Sequence, residues 1–187
     1  MSNETIKSIM SRRSVRAYKP DTIPADIMKT ILEAGQAAPY VMPDSRHFAV
    51  VSCKDVISRI NKTALAEGSK VSEHHRQLFG TPGFDGNYGA PVIVVLSGKE
   101  DTVQYESVCA ASVQNMLVAA QSLGVATCWA YFPVFIFHGV EAEAWRAELQ
   151  IPDGYKPCAA VLLGYSAEET KQGKPDDRYK NEIVYIG

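Results

Sequence analysis

Hydrophobic residues recur every three or four positions in several parts of the chain, which is the spacing of one face of a helix. The clearest example is residues 23–38, where Ile27 and Ile31 share one face. The longest example is residues 102–124, which are poor in charge, so we expect this helix at the centre of the fold. Shorter helices are predicted around Ile6, Ile9 and Met10, over residues 55–68 and over residues 139–150.

Continuous apolar runs bounded by turn residues predict buried strands. Residues 91–98 are the clearest of these runs and predict a strand that is buried on both faces. Further strands are predicted over residues 48–53, 125–132, 157–165 and 182–186. Helices and strands mix without regular alternation, so the predicted architecture is a three-layer α/β/α sandwich in one domain, residues 1–187.

The predicted strand at residues 182–186 follows a polar loop and stands alone at the C-terminus. A lone terminal strand needs a sheet edge to pair with. That edge could belong to the same chain or to a second subunit, and the sequence leaves both open. An arm exchanged between subunits would make a dimer obligate.

The composition is that of an ordinary globular protein, and it narrows the possible partners. The chain has 187 residues, 46% of them hydrophobic, and a formal net charge of −2. This balance argues against nucleic-acid and membrane-surface binding, and no apolar stretch approaches the roughly 20 residues of a membrane span. Because the N-terminus also lacks a signal-peptide core, we expect a soluble cytoplasmic protein. The predicted buried free thiols are Cys53, Cys109, Cys128 and Cys158.

Positive charge is concentrated in one short stretch, "SRRSVRAYKP", at residues 11–20. Alternate residues of an extended segment share a face, so Ser14 and Arg16 can point together. Guanidinium groups bind phosphate oxygens in bidentate fashion, and a serine hydroxyl adds a donor. The stretch is therefore either a phosphate site or a solvated basic turn that pairs with nearby acids, and composition does not decide between them.

No arrangement of residues along the sequence is typical of a catalytic triad, a zinc site or a pair of catalytic carboxylates. His74 and His75 are adjacent and would point apart on a helix, and the glycine-rich residues 80–91 lack the strand-to-helix setting of a phosphate loop. A cofactor can carry the chemistry while the protein supplies binding and electrostatics. A cofactor that bears a phosphate would also explain the arginines.

Taken in chain order, several segments resemble the FMN-dependent nitroreductase family. They are "SRRSVRAYKPDTIPADIMKTILEAGQAAP", "NYGAPVIVVLSG", "ASVQNMLVAAQSLGVATCW", "LQIPDGYKPCAAVLLGY" and "KPDDRYKNEIVYI". The resemblance implies an α+β fold of the nitroreductase type, with a mixed, mainly antiparallel sheet between helical layers. It also implies a homodimer with exchanged C-terminal arms and with FMN in a groove at the subunit interface.

The resemblance also implies which residues bind FMN. The R-x-S-x-R segment of the family holds the phosphate and ribityl chain, which assigns that role to Arg12, Arg13, Ser14 and Arg16. A basic residue of the C-terminal loop often joins the phosphate, and the candidates are Arg178 and, second, Lys174. The strand after the long helix lies beside the flavin ring, with a backbone N–H near flavin N5. The matching residues are Trp129, Ala130 and Tyr131.

One block departs from the family pattern. Where the family has Asn and Gln, whose amides contact the flavin, this chain has Pro43 and Ser45. Proline offers no donor, and Tyr40 replaces a small residue that lies next to the flavin. We count Tyr40, Met42 and Ser45 as candidate FMN contacts of this reshaped wall. Other contacts could compensate for the changed loop, so that FMN binds in the ordinary way. Alternatively, the loop could bind the flavin differently or change its redox properties.

The resemblance implies an oxidoreductase in which NAD(P)H gives hydride to flavin N5 and a second substrate then takes the electrons in the same pocket, in ping-pong order. Nitroaromatic and quinone acceptors are typical of the family, and no catalytic side chain or metal is required. Two alternatives stay open. One is a different flavin reaction, such as oxidation, dehalogenation or flavin fragmentation, and the other is a flavin-binding module that has lost catalysis. The sequence does not decide between NADH and NADPH.

Overall fold

The computed structural model describes residues 3–40, 42–168 and 182–187. The helices within them are α1 (Glu4–Ser11), α2 (Ala25–Gln36), α3 (Lys54–Gly68), α4 (Glu73–Phe79), α5 (Tyr105–Ser122), α6 (Ala142–Glu148) and a 3-10 helix (Phe132–Phe137). The strands are β1 (Arg46–Val51), β2 (Val92–Lys99), β3 (Ala126–Ala130) and β4 (Tyr155–Gly164). Among the described helices, none combines the length and the apolar character that crossing a membrane requires.

The four strands form one sheet in the order β1-β2-β4-β3, and each strand is antiparallel to its neighbours. Val94 lies near the centre of the sheet, opposite Val50 of β1 and Val161 of β4. The pairing of β2 with β4 shifts register between Leu96 and Ser97. β1 and β3 are therefore the two edges of this sheet, and the candidate site lies along the β3 edge.

Helices cover both faces of the sheet because successive side chains of a strand point to opposite faces. In β2, Val94 and Leu96 pack into one core with α2 and α5, whereas Ile93 and Val95 pack into a second core with α3, α6 and the 3-10 helix. Seven of the eight β2 residues are buried, as a strand between two helical layers must be. The three-layer α+β architecture expected from the sequence is confirmed.

Two helical segments differ from the sequence prediction. β3 ends at Ala130, and the apolar run that follows forms the 3-10 helix rather than a longer strand. Pro133 lies in the first turn of that helix, where its fixed φ and missing N–H are tolerated. The other segment is α4, which lies in a region of weak hydrophobic pattern. It begins at a capping residue, Ser72, whose hydroxyl accepts a hydrogen bond from the His75 N–H.

The C-terminal residues 182–187 adopt no strand conformation in the single chain, in contrast to the prediction. Their exposed apolar side chains are Ile183, Val184, Tyr185 and Ile186, which are between 70% and 95% exposed. A run of large apolar side chains in water is unfavourable, and a strand outside a sheet has no partner for its backbone groups. Exchange of this arm between subunits stays a prediction.

The side chain of Leu162 tests the packing of the sheet. It is fully buried in β4, in the core that contains α3 and the 3-10 helix. Leu162→Ala is expected to lower the free energy of unfolding by about 2–5 kcal/mol, because it removes buried carbon and leaves a cavity. Val140→Ala, at a fully exposed side chain, is the control and should change that free energy by less than about 0.5 kcal/mol. Urea unfolding followed by circular dichroism measures both, and equal effects would contradict this packing.

Candidate functional site

The basic segment lies along the β3 edge of the sheet. After α1 the chain runs beside β3, where Ser14 pairs with Thr127 in a parallel bridge. The Val15 N–H donates to the Thr127 carbonyl over 2.9 Å, and the Val15 side chain packs against the core. Because side chains alternate along an extended segment, Arg12, Ser14 and Arg16 share the other side.

Backbone hydrogen bonds also hold the end of the basic segment. The Lys19 N–H donates to the Tyr165 carbonyl over 2.8 Å, directly after β4. Two residues after Tyr165, the Ala167 N–H donates to the Ala17 carbonyl of the segment. The chain therefore leaves β4 beside the basic segment. The two C-terminal candidates, Lys174 and Arg178, lie outside the described residues.

The Ser14–Thr127 bridge places the basic segment beside Cys128, and three of the predicted residues lie close enough to affect the pKa of its thiol. Burial raises the pKa of the Cys128 thiol, and Arg16, the Ser14 hydroxyl and Arg12 all act in the opposite direction. One thiol of β3 is thus within reach of two guanidinium groups and a hydroxyl. Ser14 and Arg16 are exposed and Arg12 is half-buried, so this corner of the sheet presents cationic donors to solvent.

The fourth residue of the predicted phosphate site, Arg13, is placed differently. Its guanidinium Nη1 donates to the Met10 carbonyl over 2.9 Å and to the Arg12 carbonyl over 2.8 Å. These carbonyls lie at the C-terminal end of α1, where backbone oxygens lack helical partners. Arg13 therefore closes the helix that precedes the segment, and its predicted contact with FMN stays a prediction.

Two aromatic side chains continue the same edge. Trp129 and Tyr131 are 45% and 49% exposed, whereas Ala130 between them is buried. The two aromatic residues line a small open pocket of about 400 Å³, together with the N-terminal half of α5 and with Cys158 and Ala159 of β4. The pocket exists because β3 ends at Ala130 while β4 extends further along the sheet.

Tyr131 has polar and apolar neighbours at the rim of this pocket. Its hydroxyl lies 3.3 Å from His138 Nε2, and its ring packs edge-on against Phe135 with 5.3 Å between centroids. Burial raises the pKa of Tyr131, with Lys156 acting in the opposite direction. The group is therefore a neutral phenol at physiological pH, able to donate or accept a hydrogen bond.

The reshaped loop, which contains Tyr40, Met42, Pro43 and Ser45, lies directly before β1. Contacts within the loop and with Arg46 hold it in place. The Tyr40 ring stacks under the guanidinium of Arg46, which lies 5.3 Å from the ring centroid. Met42 is half-exposed, and its carbonyl accepts from the Ser45 N–H in a turn around Pro43. The Ser45 side chain is fully buried, so its hydroxyl faces the interior and not a ligand. Its predicted FMN contact is untested, and this orientation does not support it.

Arg46 is a residue that sequence reasoning missed. Its Nη1 lies 3.2 Å from the Ala38 carbonyl, 3.3 Å from the Gly35 carbonyl and 2.5 Å from Ser112 Oγ of α5. Its Nη2 donates to the Gln36 carbonyl over 3.0 Å. One guanidinium thus closes the C-terminal end of α2 and ties it to α5. In the sequence it is only an arginine after a loop, and no spacing signals this role.

Replacing Arg46 tests whether it organises the loop before β1. Arg46→Met keeps an unbranched side chain but removes its hydrogen bonds to carbonyls at the end of α2. We expect a loss of about 1–3 kcal/mol of unfolding free energy, the cost of leaving such groups without a partner. Arg59→Met is the matched control, because Arg59, like Arg46, lies over an aromatic ring, that of Trp145, but is largely exposed and pairs with Glu148 instead of carbonyls. Arg59→Met should lower the free energy of unfolding by less than about 1 kcal/mol. Thermal unfolding compares the two variants, and a larger loss for Arg59→Met than for Arg46→Met would contradict the role of Arg46 in organising the loop.

The basic segment and the reshaped loop lie at opposite corners of the sheet. Ser14 is at the start of β3, paired with Thr127, and the loop is at the start of β1, whose first residue Arg46 pairs with Gly98. β2 and β4 lie between these two edges. With about 4.8 Å between neighbouring strands, the edges are about 14 Å apart. Within one chain, the basic segment and the reshaped loop are therefore too far apart to form one continuous site.

The β3 edge carries anion-binding side chains at one end and two exposed aromatic side chains at the other. We call these two residues, Trp129 and Tyr131, the aromatic shelf. Guanidinium groups and a hydroxyl at one end suit a phosphate, because the planar N–H forks of arginine donate to its acceptor oxygens. Exposed aromatic rings at the other end suit a flat, partly apolar ring system. The described residues of this edge thus fit a cofactor that carries a phosphate on one end and an aromatic ring on the other.

The model of the Nitroreductase family matches residues 9–165 of the chain. The chain is similar to a nitroreductase with bound FMN from Bacteroides fragilis, at 32% identity over 98% of this chain and 100% of that one, with a TM-score of 0.85. It is also similar to a nitroreductase with bound FMN from Desulfitobacterium hafniense, at 26% identity over 100% of both chains, with a TM-score of 0.88. A protein of Archaeoglobus fulgidus, provisionally named an NADH dehydrogenase/NAD(P)H nitroreductase, is 26% identical over 97% of each chain.

Proposed function

Because the chain belongs to the nitroreductase family, we propose that it is an FMN-dependent oxidoreductase that takes its electrons from NAD(P)H. The observation that supports this most strongly is the convergence of Arg12, Ser14 and Arg16 on one corner of the β3 edge. Two similar structures from the same family contain FMN. When bound, FMN would supply the redox chemistry by which hydride from NAD(P)H reaches a second substrate in ping-pong order.

The phosphate end of FMN is assigned to the basic segment. Arg12 and Arg16 supply planar forks that match phosphate oxygens, and the Ser14 hydroxyl adds a donor. The backbone of the segment is held by β3 and by the residues after β4, so the donors are positioned before the ligand arrives. Arg178 and Lys174 stay candidates for a further contact, since the last described residues before them, up to residue 168, lie beside this segment.

The ring of FMN is assigned to the aromatic shelf. Trp129 and Tyr131 present exposed side chains, and the strand backbone around Ala130 supplies the N–H group proposed to lie near flavin N5. Tyr131 and His138 share a polar contact of 3.3 Å at the pocket rim, and the phenol can bond an oxygen of the acceptor. We propose nitroaromatic or quinone-like acceptors, whose flat rings suit this open pocket.

A homodimer is proposed because the single chain leaves the site incomplete. The reshaped loop and the basic segment lie at opposite corners of one sheet, so a cofactor that touches both needs the loop of a second chain. Apolar side chains are also left in water on α1 and in the C-terminal arm. They are Ile6, Ile9, Met10, Ile183, Val184, Tyr185 and Ile186, all at least 38% exposed. We propose that pairing of two chains covers them, with the arms exchanged; a cytoplasmic location stays a prediction.

Two-substrate steady-state kinetics tests the proposed reaction. Protein loaded with FMN should oxidise NADH or NADPH at a rate that depends on a quinone or a nitroaromatic acceptor. Double-reciprocal plots at several acceptor concentrations should give parallel lines, because one pocket serves both substrates in turn. No acceptor-dependent oxidation of either nicotinamide by the loaded protein would rule the proposed reaction out.

A second candidate is favoured by the reshaped loop. Pro43 has no donor and the Ser45 hydroxyl is turned inwards, so these two positions offer no side-chain donor where the family has two amides. A flavin held this way could serve a different reaction, such as oxidation, dehalogenation or flavin fragmentation, or could be bound without turnover. FMN that binds tightly but is not reduced by NADH or NADPH would favour this candidate over the first.

A further inference from the structure

A second cavity lies on the face of the sheet opposite to the pocket beside Trp129. It has a volume of about 470 Å³ and lies between the first two turns of α3 and a glycine-rich loop, residues 83–91, that precedes β2. Ile57 and Phe84, which line it, pack against the core shared with α3, whereas the pocket beside Trp129 is lined by α5. The two cavities share no residue, so the proposed FMN site does not account for this one.

The glycine-rich loop is closed by its own hydrogen bonds. The Asp85 carboxylate accepts from the Asn87 N–H over 2.9 Å through Oδ1 and from the Gly89 N–H over 2.7 Å through Oδ2. The Asn61 side chain of α3 accepts from the Gly86 N–H over 3.2 Å, which fastens the loop to the helix. The Asn87 carbonyl accepts a further backbone hydrogen bond within the loop. Both backbone groups of Asn87 are therefore engaged, which keeps its side chain in the interior.

The Asn87 side chain is a buried amide without a partner. Asn87 is 1% exposed, and neither its Oδ1 nor its Nδ2 has a hydrogen-bond partner among the described residues. Leaving such a group without a partner is unfavourable, and most buried polar side-chain groups in proteins are paired. Because Asn87 also lines the cavity, a molecule seated there can supply the missing partners. One water occupies about 30 Å³, so the cavity has room for a much larger molecule.

We propose that this cavity binds a neutral, planar heterocycle of nucleobase size through the Asn87 amide. An asparagine amide presents a donor and an acceptor side by side, and it pairs with a ring edge that carries an acceptor and a donor at matching positions, as adenine does. Ile57, Phe84 and Pro91 supply apolar walls for the ring. An apolar cavity with a few polar groups that fix orientation is the usual form of a small-molecule site.

The charges at the cavity favour a ligand without net charge. Of the described residues that line it, only Lys54 and Asp85 are charged, with opposite signs. The Asp85 carboxylate already accepts two backbone hydrogen bonds, and Lys54 is exposed to solvent. Ser58 and Asn61 add a hydroxyl and a second amide. These neutral donors and acceptors suit a base rather than a phosphate.

Titration of the full chain with adenine and with uracil, followed by proton–nitrogen NMR, tests this proposal. Excess FMN in the sample keeps the bases out of the proposed flavin site. At least one base should shift the N–H signals of Gly86 and Gly89 and the side-chain amide signal of Asn87 in a saturable way. Purine and pyrimidine are the same rings without the exocyclic groups. They should bind at least about tenfold more weakly, because they lack the adjacent donor and acceptor.

Two asparagine variants separate the proposed contact from general effects on stability. Asn87→Leu keeps the size of the side chain but removes the amide, so it should weaken binding of the base at least about tenfold. Its unliganded chain should unfold at the same or a higher temperature, because no hydrogen bond is lost. Asn115→Leu is the matched control. Asn115 of α5 donates to the Ala34 carbonyl over 3.1 Å, so its loss should lower the unfolding temperature and leave binding of the base unchanged.

The outcome does not depend on the proposed oxidoreductase activity, because binding is read from the glycine-rich loop. The proposal is overturned if neither base gives saturable shifts in that loop, or if purine and pyrimidine bind as tightly as adenine and uracil. It is equally overturned if Asn87→Leu binds the base as tightly as the unaltered chain does. Should Asn87→Leu fail to fold, the comparison of the four ring compounds decides.

Discussion

Replacing Arg16 with alanine is expected to weaken FMN binding by about 10- to 100-fold while leaving the folded chain intact. The Arg16 side chain is exposed, so its loss removes no core packing. A hydrogen bond to a charged group contributes about 1.5–3 kcal/mol, and each 1.4 kcal/mol is about a tenfold change in affinity. The measurement is a fluorescence titration of apoprotein with FMN, and thermal unfolding of the same apoprotein should be unchanged.

Lys19→Ala is the matched control for Arg16. Both residues are exposed cations of the same segment, but Lys19 lies three residues beyond the converging group. Its loss should weaken FMN binding by less than about fivefold, the effect of an exposed charge. Equal losses for the two variants would mean that the segment attracts FMN through its overall charge, and the assignment of Arg16 to the phosphate would be wrong.

The double substitution Ile183→Ser and Ile186→Ser is expected to convert the protein into monomers that no longer retain FMN. Both side chains are at least 73% exposed in the single chain, and the exchanged arm would bury them against the second subunit. Full burial of such a side chain is worth about 1.5–3 kcal/mol, so four of them in a dimer amount to about 6–12 kcal/mol. Sedimentation velocity and the retained flavin absorbance measure the two effects together.

Val71→Ser with Val140→Ser is the control for the arm. These side chains are also apolar and exposed, at 51% and 101%, but they lie outside the C-terminal arm. This variant should stay dimeric and retain FMN. If the arm variant remains a dimer with bound FMN, the arm contributes nothing to assembly and its exchange between subunits is ruled out.

The longest hydrophobic patterns predicted their elements well because they leave few alternatives. Residues 91–96, within the predicted strand at residues 91–98, are apolar throughout, and β2 (Val92–Lys99) is one of the two central strands and is buried. Residues 102–124 predicted α5, whose low charge matches its contact with the sheet and with α2. By contrast, the apolar run after Ala130 has no period that separates a strand from a 3-10 helix. That choice is made by tertiary packing around Phe132 and Phe135.

The candidate site was predictable only where charge or family pattern marks it. Arg12, Ser14 and Arg16 stand out by spacing, and the structure brings them to one corner of the sheet. Arg13 has the same charge but turns back to α1, and neighbouring residues in sequence do not reveal such a choice. Arg46 binds carbonyls of α2, a contact that depends on how α2, β1 and α5 meet.

The burial of the cysteines illustrates the same limit. Cys109 and Cys158 are far apart in the sequence, and each lies in an apolar run. The prediction of buried thiols is confirmed for Cys109 and Cys128, but Cys53 is exposed and Cys158 is half-buried. The corrections follow from position, because Cys53 is the N-cap residue of α3 and Cys158 lies where β4 extends past β3.

The visible spectrum of the purified protein, supplemented with FMN and then freed of unbound flavin, tests whether the β3 edge binds FMN that a nicotinamide can reduce. We expect a flavin absorption band that stays with the protein and that bleaches under anaerobic conditions after one equivalent of NADH or NADPH. An FMN band that neither nicotinamide bleaches would contradict the proposed reaction. Protein that retains no flavin band at all would contradict the assignment of the β3 edge as an FMN site.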